Sequence, residues 1–326
     1  MKILSLKEDE RGKRAMLTTL NTQLTQKPSI VDAIIKQGVA TAPIINMIGT
    51  GSISAPSHSW INDRYADAKD NANLELSDLN ENTVPTKTKN SNVAQIIKNE
   101  IGVTTRQMQM SQYGGKEWAY QVGKKGKEHL KDVEYALLGL GNASIEAAPI
   151  TATATKAARM AGLFYFVPNE QRYTVDGYDE ADESTFVDFS LDELHNFLEP
   201  LWKRGAMEDD TFKILLGSKL KQKVNAVCKD YIINTQIKGN KVDPTVTKIV
   251  TDFGEVEFQL HRHFAGDVLK DKMMAGKFRE ARAMYVSQTN FTEVPTSKTA
   301  KFGRYYTDLT LEVKNGDMFA SAKGWK

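Results

Sequence analysis

Residues 92–140 read NVAQIIKNEIGVTTRQMQMSQYGGKEWAYQVGKKGKEHLKDVEYALLGL, and the change of character inside this stretch decides the fold. Its first half, 93–111, is strand-like, too long for an ordinary loop and too polar for a core strand. Its expected partner is 54–65, and the intervening 67–91 is rich in Asn, Asp and Lys, a composition that does not fold compactly by itself. Together these segments describe a projecting hairpin. An extended 94–105 spans ~40 Å, so its far end is expected to lie outside its own domain, on another copy of the chain.

The second half switches to a helical period. Trp118, Val122, Leu130, Val133, Leu137 and Leu140 recur at three- to four-residue spacing, which predicts one buried stripe on a helix about 35 Å long. Lys116, Lys124, Lys127, Lys131 and Glu134 are assigned to the opposite, solvated face. Gly123 and Gly126 each cost about 1 kcal/mol relative to alanine, which suggests a close-passing backbone or a bend. The helix is expected to stop at Gly139–Asn142, a Gly-Asn terminus.

Outward from this stretch, residues 1–26 are polar and read as an extended arm. Ile30, Ala33 and Ile34, then Ile44, Ile45 and Ile48, suggest two short helices broken at Pro43. The Ala/Thr-rich 147–161 reads as a connection or a loose helix, and 163–167 as a short apolar strand. Ser190 has the spacing of an N-cap, with Glu193 three residues on and Gly205 past the end of the helix it starts. Residues 211–232 read as a helix or a pair of helices broken at Gly217. From 245 the period becomes two, with Val256, Phe258 and Leu260 on one side of a strand, and 305–313 reads as another strand before the Asn315–Gly316 turn. Helices mixed with antiparallel strands, without regular βαβ alternation, predict an α+β fold.

A chain of 326 residues with 40% hydrophobic and 26% charged residues has an ordinary globular composition. No apolar run reaches the length of a membrane span, and the N-terminus goes straight to charge, so a soluble protein made in the cytosol is expected. Forty-three basic against 41 acidic residues give a net charge of +2, without the concentrated basic excess of a protein whose main task is gripping DNA. The acidic 176–183 and the basic 219–223 are read as complementary patches between copies. The single cysteine, Cys228, excludes an internal disulfide framework and is read as part of a buried helix face.

Few residues suggest chemistry. His261 and His263 would share one face of a strand and could hold zinc, but no third ligand follows at metal-binding spacing, so a hydrogen-bonding role is preferred. Gly49 and Gly51 in GTGS resemble a phosphate loop but lack its lysine and preceding strand, so turn geometry is expected. Trp60 and Trp118 are read as core or interface packing, and Lys124, Lys125 and Lys127, interleaved with Glu128, as a solvated helix face. No nucleophile, base and acid set emerges, and no cofactor is expected.

Three runs carry a family resemblance: NVAQIIKNEIGVTTRQ followed by YGGKEWAYQVGKKGKEHLKDVEYALL, then VTDFGEVEFQLHRHF, then GRYYTDLTLEVKNGDMFASAKGW. With the weaker TAPIINMIGTGSISAPSHSWINDRY they span most of 41–325 and resemble the major capsid proteins of tailed bacteriophages, in a myophage-type branch. The resemblance implies the tailed-phage and herpesvirus capsid fold. Its parts map to an N-terminal arm (1–49), an extended loop (50–113), a peripheral domain opened by a long spine helix (114–162), an axial domain (163–253) and further peripheral strands (254–326). It implies hexamers and pentamers of this chain in an icosahedral phage head, assembled in the bacterial host cytoplasm around double-stranded DNA, with no sequence-specific binding and no membrane. Portal and decoration proteins are implied partners, with a separate scaffold or none. Pro85, Lys87, Lys89, Arg64 and Arg106 are the expected intersubunit contacts. A lysine-asparagine cross-link, known in some members, is not carried over, because no motif identifies its asparagine or its acid. The rival readings are an encapsulin-like bacterial shell protein of the same fold and a metalloenzyme using His261 and His263.

Overall fold

A computed structural model describes residues 42–66, 68–70, 72, 75, 86–111, 115–207, 212–227 and 248–326. The arm up to residue 41, the first of the two short helices, Pro85 and Cys228 lie outside the described residues. In chain order the first elements are α1 (Pro43–Met47), β1 (Gly49–Ser52), β2 (Ser57–Asn62), β3 (Thr88–Val93), β4 (Gln95–Thr104), α2 (Thr105–Gln109) and α3 (Glu117–Leu137). There follow β5 (Arg172–Thr174), α4 (Leu191–Lys203), β6 (Phe212–Leu216), α5 (Ser218–Val227), β7 (Lys248–Thr251), β8 (Gly254–Leu260), β9 (Lys272–Lys277), β10 (Ala281–Val294), β11 (Ala300–Val313) and β12 (Phe319–Lys323).

Two sheets organise two cores. The first has strand order β1-β10-β11-β4, antiparallel except for the β1–β10 pair. Its buried side chains Ile97, Leu309, Leu311 and Ala283 join Val133, Ala136 and Leu137 of α3 in one apolar cluster. The second has order β5-β12-β9-β6-β8-β7, and its cluster unites Leu194, Phe197, Leu198 and Leu201 of α4 with Leu220 and Val224 of α5 and with Trp325. Trp325 is 1% exposed and contacts the rings of Tyr173, Phe189 and Phe197. The pattern is α+β, as the sequence predicts.

The strand expected over 93–111 divides in two. It breaks at Ala94, whose N–H donates to Pro56 O at 2.7 Å, and ends in α2, capped by Thr104 Oγ1 on Gln107 N. β3, not β4, pairs with β2, in register from Ser57 opposite Val93 to Asn62 opposite Thr88. β4 does not project: it pairs along its length with β11 of its own chain, from Gln95 opposite Leu309 to Thr104 opposite Ala300. Its Ile97, Ile101 and Val103 are buried, which makes it a sheet strand rather than an arm.

Several local expectations change for physical reasons. Residues 163–167 form a 3-10 turn (Leu163–Phe166) rather than a strand, since a short fully buried apolar run carries no period to tell the two apart. The same ambiguity hid β6 within 211–232; Gly217 then separates it from α5, where a Cβ would run into the Phe264 carbonyl. Gly49 and Gly51 lie in β1, not in a turn. Residues 147–161 are an irregular connection held by an isolated bridge between Ile150 and Arg159. β9 and β10 are additions the sequence reading did not identify. The expected boundary at 253/254 runs through the second sheet, where Lys213 of β6 pairs with Glu257 of β8. Three strands of the expected peripheral segment, β8, β9 and β12, lie in this sheet.

Candidate assembly surface

The β2–β3 hairpin is fixed at its root and carries exposed apolar side chains beyond it. At the root, His58 Nε2 lies 3.2 Å from Glu312 Oε2, and Trp60 packs between His58 and Phe166 with centroid separations of 5.6 and 5.4 Å. Asn92, 1% exposed, is the clamp. Its Nδ2 donates to Leu311 O (2.8 Å) and Ala161 O (3.1 Å), and its Oδ1 accepts from Ala161 N (2.9 Å) and Val93 N (2.9 Å). These partners lie on the first sheet and on the connection beneath it, so the hairpin leaves the body at a defined angle.

Beyond the root, Ile61 is 68% and Tyr65 96% exposed. Large apolar side chains left in water there add nothing to their own core. Sequence reasoning passed over both; Ile61 directly follows Trp60, and nothing local tells which of the two is exposed. Of the expected contact residues, Arg64 Nη2 reaches Asp317 Oδ2 at 2.7 Å, an ion pair within the chain that braces the hairpin against the turn before β12. Lys87 Nζ is 3.8 Å from Asp63 Oδ2 across the hairpin, and Lys89 stands in β3 opposite Ile61. Arg64, Lys87 and Lys89 are therefore brought together on one hairpin. Arg106 is not with them: it lies on α2, past the far end of β4.

On α3 the helical face is only partly as expected. Val133 and Leu137 are buried, but Leu130 is 41% exposed and Glu134 is 0% exposed. Glu134 leaves the solvated face because it has inward partners: Oε1 accepts from Ile44 N at 2.6 Å and lies 3.3 Å from His261 Nε2. His261 is not on a strand with His263. It caps the 3-10 turn Arg262–Ala265, its Nδ1 accepting from His263 N at 3.2 Å. Its Nε2 stands near the Glu134 carboxylate without completing a hydrogen bond among the described residues. Among the described residues no group of three metal-ligating side chains converges. Burial holds the His263 pKa below the ordinary value, with neighbouring His261 acting in the same direction.

Trp118 packs against Phe291 and under Lys301 Nζ, and Tyr305 fills the space beside Gly126, its hydroxyl donating to Val122 O at 3.1 Å. The close approach expected at the helix glycines is thus a side chain at Gly126, and Gly123 faces open space. Lys124 and Lys125 both pair with Glu128, the solvated arrangement expected. The acidic loop is less free than its sequence suggests, since Glu180 pairs with Lys272, Glu183 with Lys270 and Asp188 with Lys223, all within the chain.

A hairpin rooted by a buried asparagine, a long helix laid on a four-stranded sheet and a second sheet with its own core form an architecture shared with known proteins. Residues 16–326 match the SU10 major capsid protein family. The chain belongs to that family. That family is one of major capsid proteins. The Major capsid protein of Escherichia phage Phieco32 is 32% identical over 139 residues, a match covering 38% of this chain and 40% of that relative. The chain thus spans less than half the length of this curated relative. The capsid of cyanophage P-SCSP1u has the same fold at 10% identity, with a TM-score of 0.63 over 93% of this chain and 94% of that one. The capsid of a native GTA particle gives 0.61 at 10% identity over 96% and 100%. The holo-SrpI encapsulin complex of Synechococcus elongatus PCC 7942 gives 0.56 at 12% identity over 96% of each. The fold alone therefore does not separate phage heads from encapsulin shells, whereas the family does. Among the described residues no helix is long and apolar enough to cross a membrane.

Proposed function

We propose that this capsid protein assembles as hexamers and pentamers into an icosahedral head around double-stranded DNA, with the β2–β3 hairpin lying on a neighbouring copy. The observation that carries this reading is the contrast along the hairpin, between the clamped root at Asn92 and the exposed Ile61 and Tyr65. Many such contacts, each modest, become cooperative in a closed lattice. In this reading α3 is the spine of the peripheral domain and the first sheet its floor. The axial domain is the second sheet with α4 and α5, so it takes β8, β9 and β12 as well as residues 163–253. Arg64, Lys87 and Lys89 act from the hairpin and Arg106 from α2. Assembly would occur in the bacterial cytoplasm, with portal, scaffold and decoration proteins as partners, and no sequence-specific grip on DNA is invoked.

The encapsulin-like alternative is favoured by the likeness to the SrpI complex and opposed by the family match over 311 residues, 16 to 326. Electron microscopy of the purified protein tests both. Closed shells large enough for a phage genome support the head reading, small protein-filled shells support the alternative, and a protein that never assembles overturns both.

A further inference from the structure

On α3 the acids that interleave with lysines in sequence do not face them in space. Glu134 turns inward to Ile44 N and His261. Asp132 Oδ2 accepts from Asn99 Nδ2 at 2.7 Å, towards β4, and Glu117 Oε1 accepts from Gln121 Nε2 at 2.6 Å. Glu128 does answer lysines, and its carboxylate is taken by Lys125 at 2.7 Å and Lys124 at 3.9 Å. Among the described residues Lys116, Lys127 and Lys131 enter no ion pair.

The lysines are also aligned. At ~100° per residue Lys124, Lys127 and Lys131 share an arc of about 60°, and Glu117, Glu128 and Asp132 all fall on one flank of it. Lys116 extends the row from the N-cap, so its length is ~22 Å at 1.5 Å per residue. Lys116, Lys124 and Lys127 are exposed and Lys131 is half-buried. Gly123, one turn before Lys127, has nothing of its own chain within 4 Å of where a Cβ would stand. A glycine inside a helix costs about 1 kcal/mol relative to alanine, and here the missing side chain leaves room for something from outside to approach the backbone.

The row also lies on the far side of the first sheet from the hairpin. Tyr305 and Thr307 of β11 hydrogen-bond to α3, through Val122 O and His129. His58 at the hairpin root meets Glu312, an even-numbered residue of β11 and therefore on the opposite face. A subunit whose hairpin side serves its neighbours thus keeps the α3 side for another partner.

We propose that Lys116, Lys124, Lys127 and Lys131 form a contact for the phosphate backbone of double-stranded DNA, made without reading its bases. This rests on the head assembly proposed above. A duplex carries one negative charge per ~1.7 Å of axis, so a straight row of one sign can lie along it. The net charge of +2 is no obstacle, because the opposing charges are segregated round the helix. If the three lysines without acid partners each neutralise a phosphate, the logarithm of the affinity falls with that of salt at a slope of about −2.7, roughly 40-fold between 50 and 200 mM.

The test is fluorescence anisotropy of a labelled mixed-sequence duplex of about 30 base pairs, titrated with full-length protein before assembly at several salt concentrations. Lys127→Gln with Lys131→Gln should reduce the slope by about 2. Lys203→Gln with Lys298→Gln removes the same charge from α4 and from the turn between β10 and β11, and should leave the slope unchanged. Gly123→Leu adds bulk but no charge and should also weaken binding. Circular dichroism checks folding; if the double variant does not fold, Lys127→Gln and Lys131→Gln singly should each reduce the slope by about 1. Equal losses in the two lysine pairs, or no duplex binding by the unaltered protein at 50 mM salt, overturn the proposal. Shells seen by electron microscopy together with a slope indifferent to the row leave the assembly reading intact while this inference fails. A row-dependent slope in protein that never forms shells overturns the assembly reading and keeps the contact.

Discussion

Glu134 Oε1 accepts the backbone N–H of Ile44 at 2.6 Å across 90 positions of sequence, with the carboxylate fully buried. One side chain thus joins three parts of the molecule: α1, α3 and, through His261, the turn that follows β8. Glu134→Gln keeps an acceptor for Ile44 and should cost little. Glu134→Leu removes it and leaves a buried donor unpaired, a loss of about 1–3 kcal/mol. Urea unfolding of the two variants checks the order, and equal stability would show that Ile44 does not depend on this contact.

A charge on the buried arc of α3 should be far worse than one on its exposed turn. Val133→Asp places an unpaired charge at a position 1% exposed and should cost several kcal/mol. Leu130→Asp and Lys131→Glu should leave soluble, folded protein. Comparable losses of soluble yield in all three would refute the facing assigned to the helix.

Stability should fall below neutral pH through His129. Its Nδ1 lies 2.5 Å from Asn99 Oδ1, a carbonyl oxygen that can only accept, so Nδ1 carries the proton and Nε2 accepts from the Thr307 hydroxyl at 2.7 Å. Burial lowers the imidazole pKa, partly opposed by Asp132. The unfolded chain therefore binds this proton more readily than the folded one. The stabilisation is complete above the ordinary histidine value of about 6.5 and is lost as pH falls from there through the lowered folded value. Chemical unfolding between pH 7 and pH 5 should show the decline, and His129→Gln should flatten part of it.

Asp308 is a liability at neutral pH. Burial raises its pKa, and among the described residues its Oδ1 has no hydrogen-bond partner. An acid with a raised folded pKa is most compatible with the fold when protonated, and its contribution declines as pH rises through the ordinary carboxyl range towards the folded value. Asp308→Asn should therefore stabilise the isolated subunit at pH 7 by about 1 kcal/mol, read as a higher melting temperature. An unchanged or lower value would mean the carboxylate is satisfied in the folded protein.

Replacing 63–87 with a short Gly-Ser turn should leave a folded subunit that no longer closes shells, and Ile61→Asp should weaken assembly without unfolding the protein. β3 must be retained, because Asn92 at its end anchors the hairpin. Light scattering reports assembly and circular dichroism reports folding. Shells with unchanged resistance to denaturant would remove the hairpin from the contact.

What the sequence makes legible is local. Ser190 accepts from Glu193 N at 3.2 Å, and Gly205 has φ +73°, so the cap and stop of α4 read straight from neighbouring residues. Asn315 likewise accepts from Asp317 N at the turn before β12. Residues whose partners are remote do not read this way. Glu134 looks solvated because helical period assigns a carboxylate outward, and only a donor 90 residues away reverses that. Phe212 to Leu216 is apolar but for Lys213, and Leu163 to Phe166 is apolar throughout, so no period distinguishes strand from helix. The hairpin was visible as an anomaly of composition, but its register depends on Asn92 meeting Leu311, which nothing within either segment announces.

The pairing of Gly49 with Arg282, and of Arg172 with Ser321, has a kinetic consequence. Neither sheet can be completed from neighbouring hairpins; each waits for strands separated by well over a hundred residues to meet. Loop closure of that length is paid before the contacts reward it, which makes refolding slow and leaves unpaired strand edges open in the meantime. Dilution from denaturant should therefore lose protein to aggregates in proportion to concentration, and recovery should rise when refolding is carried out dilute.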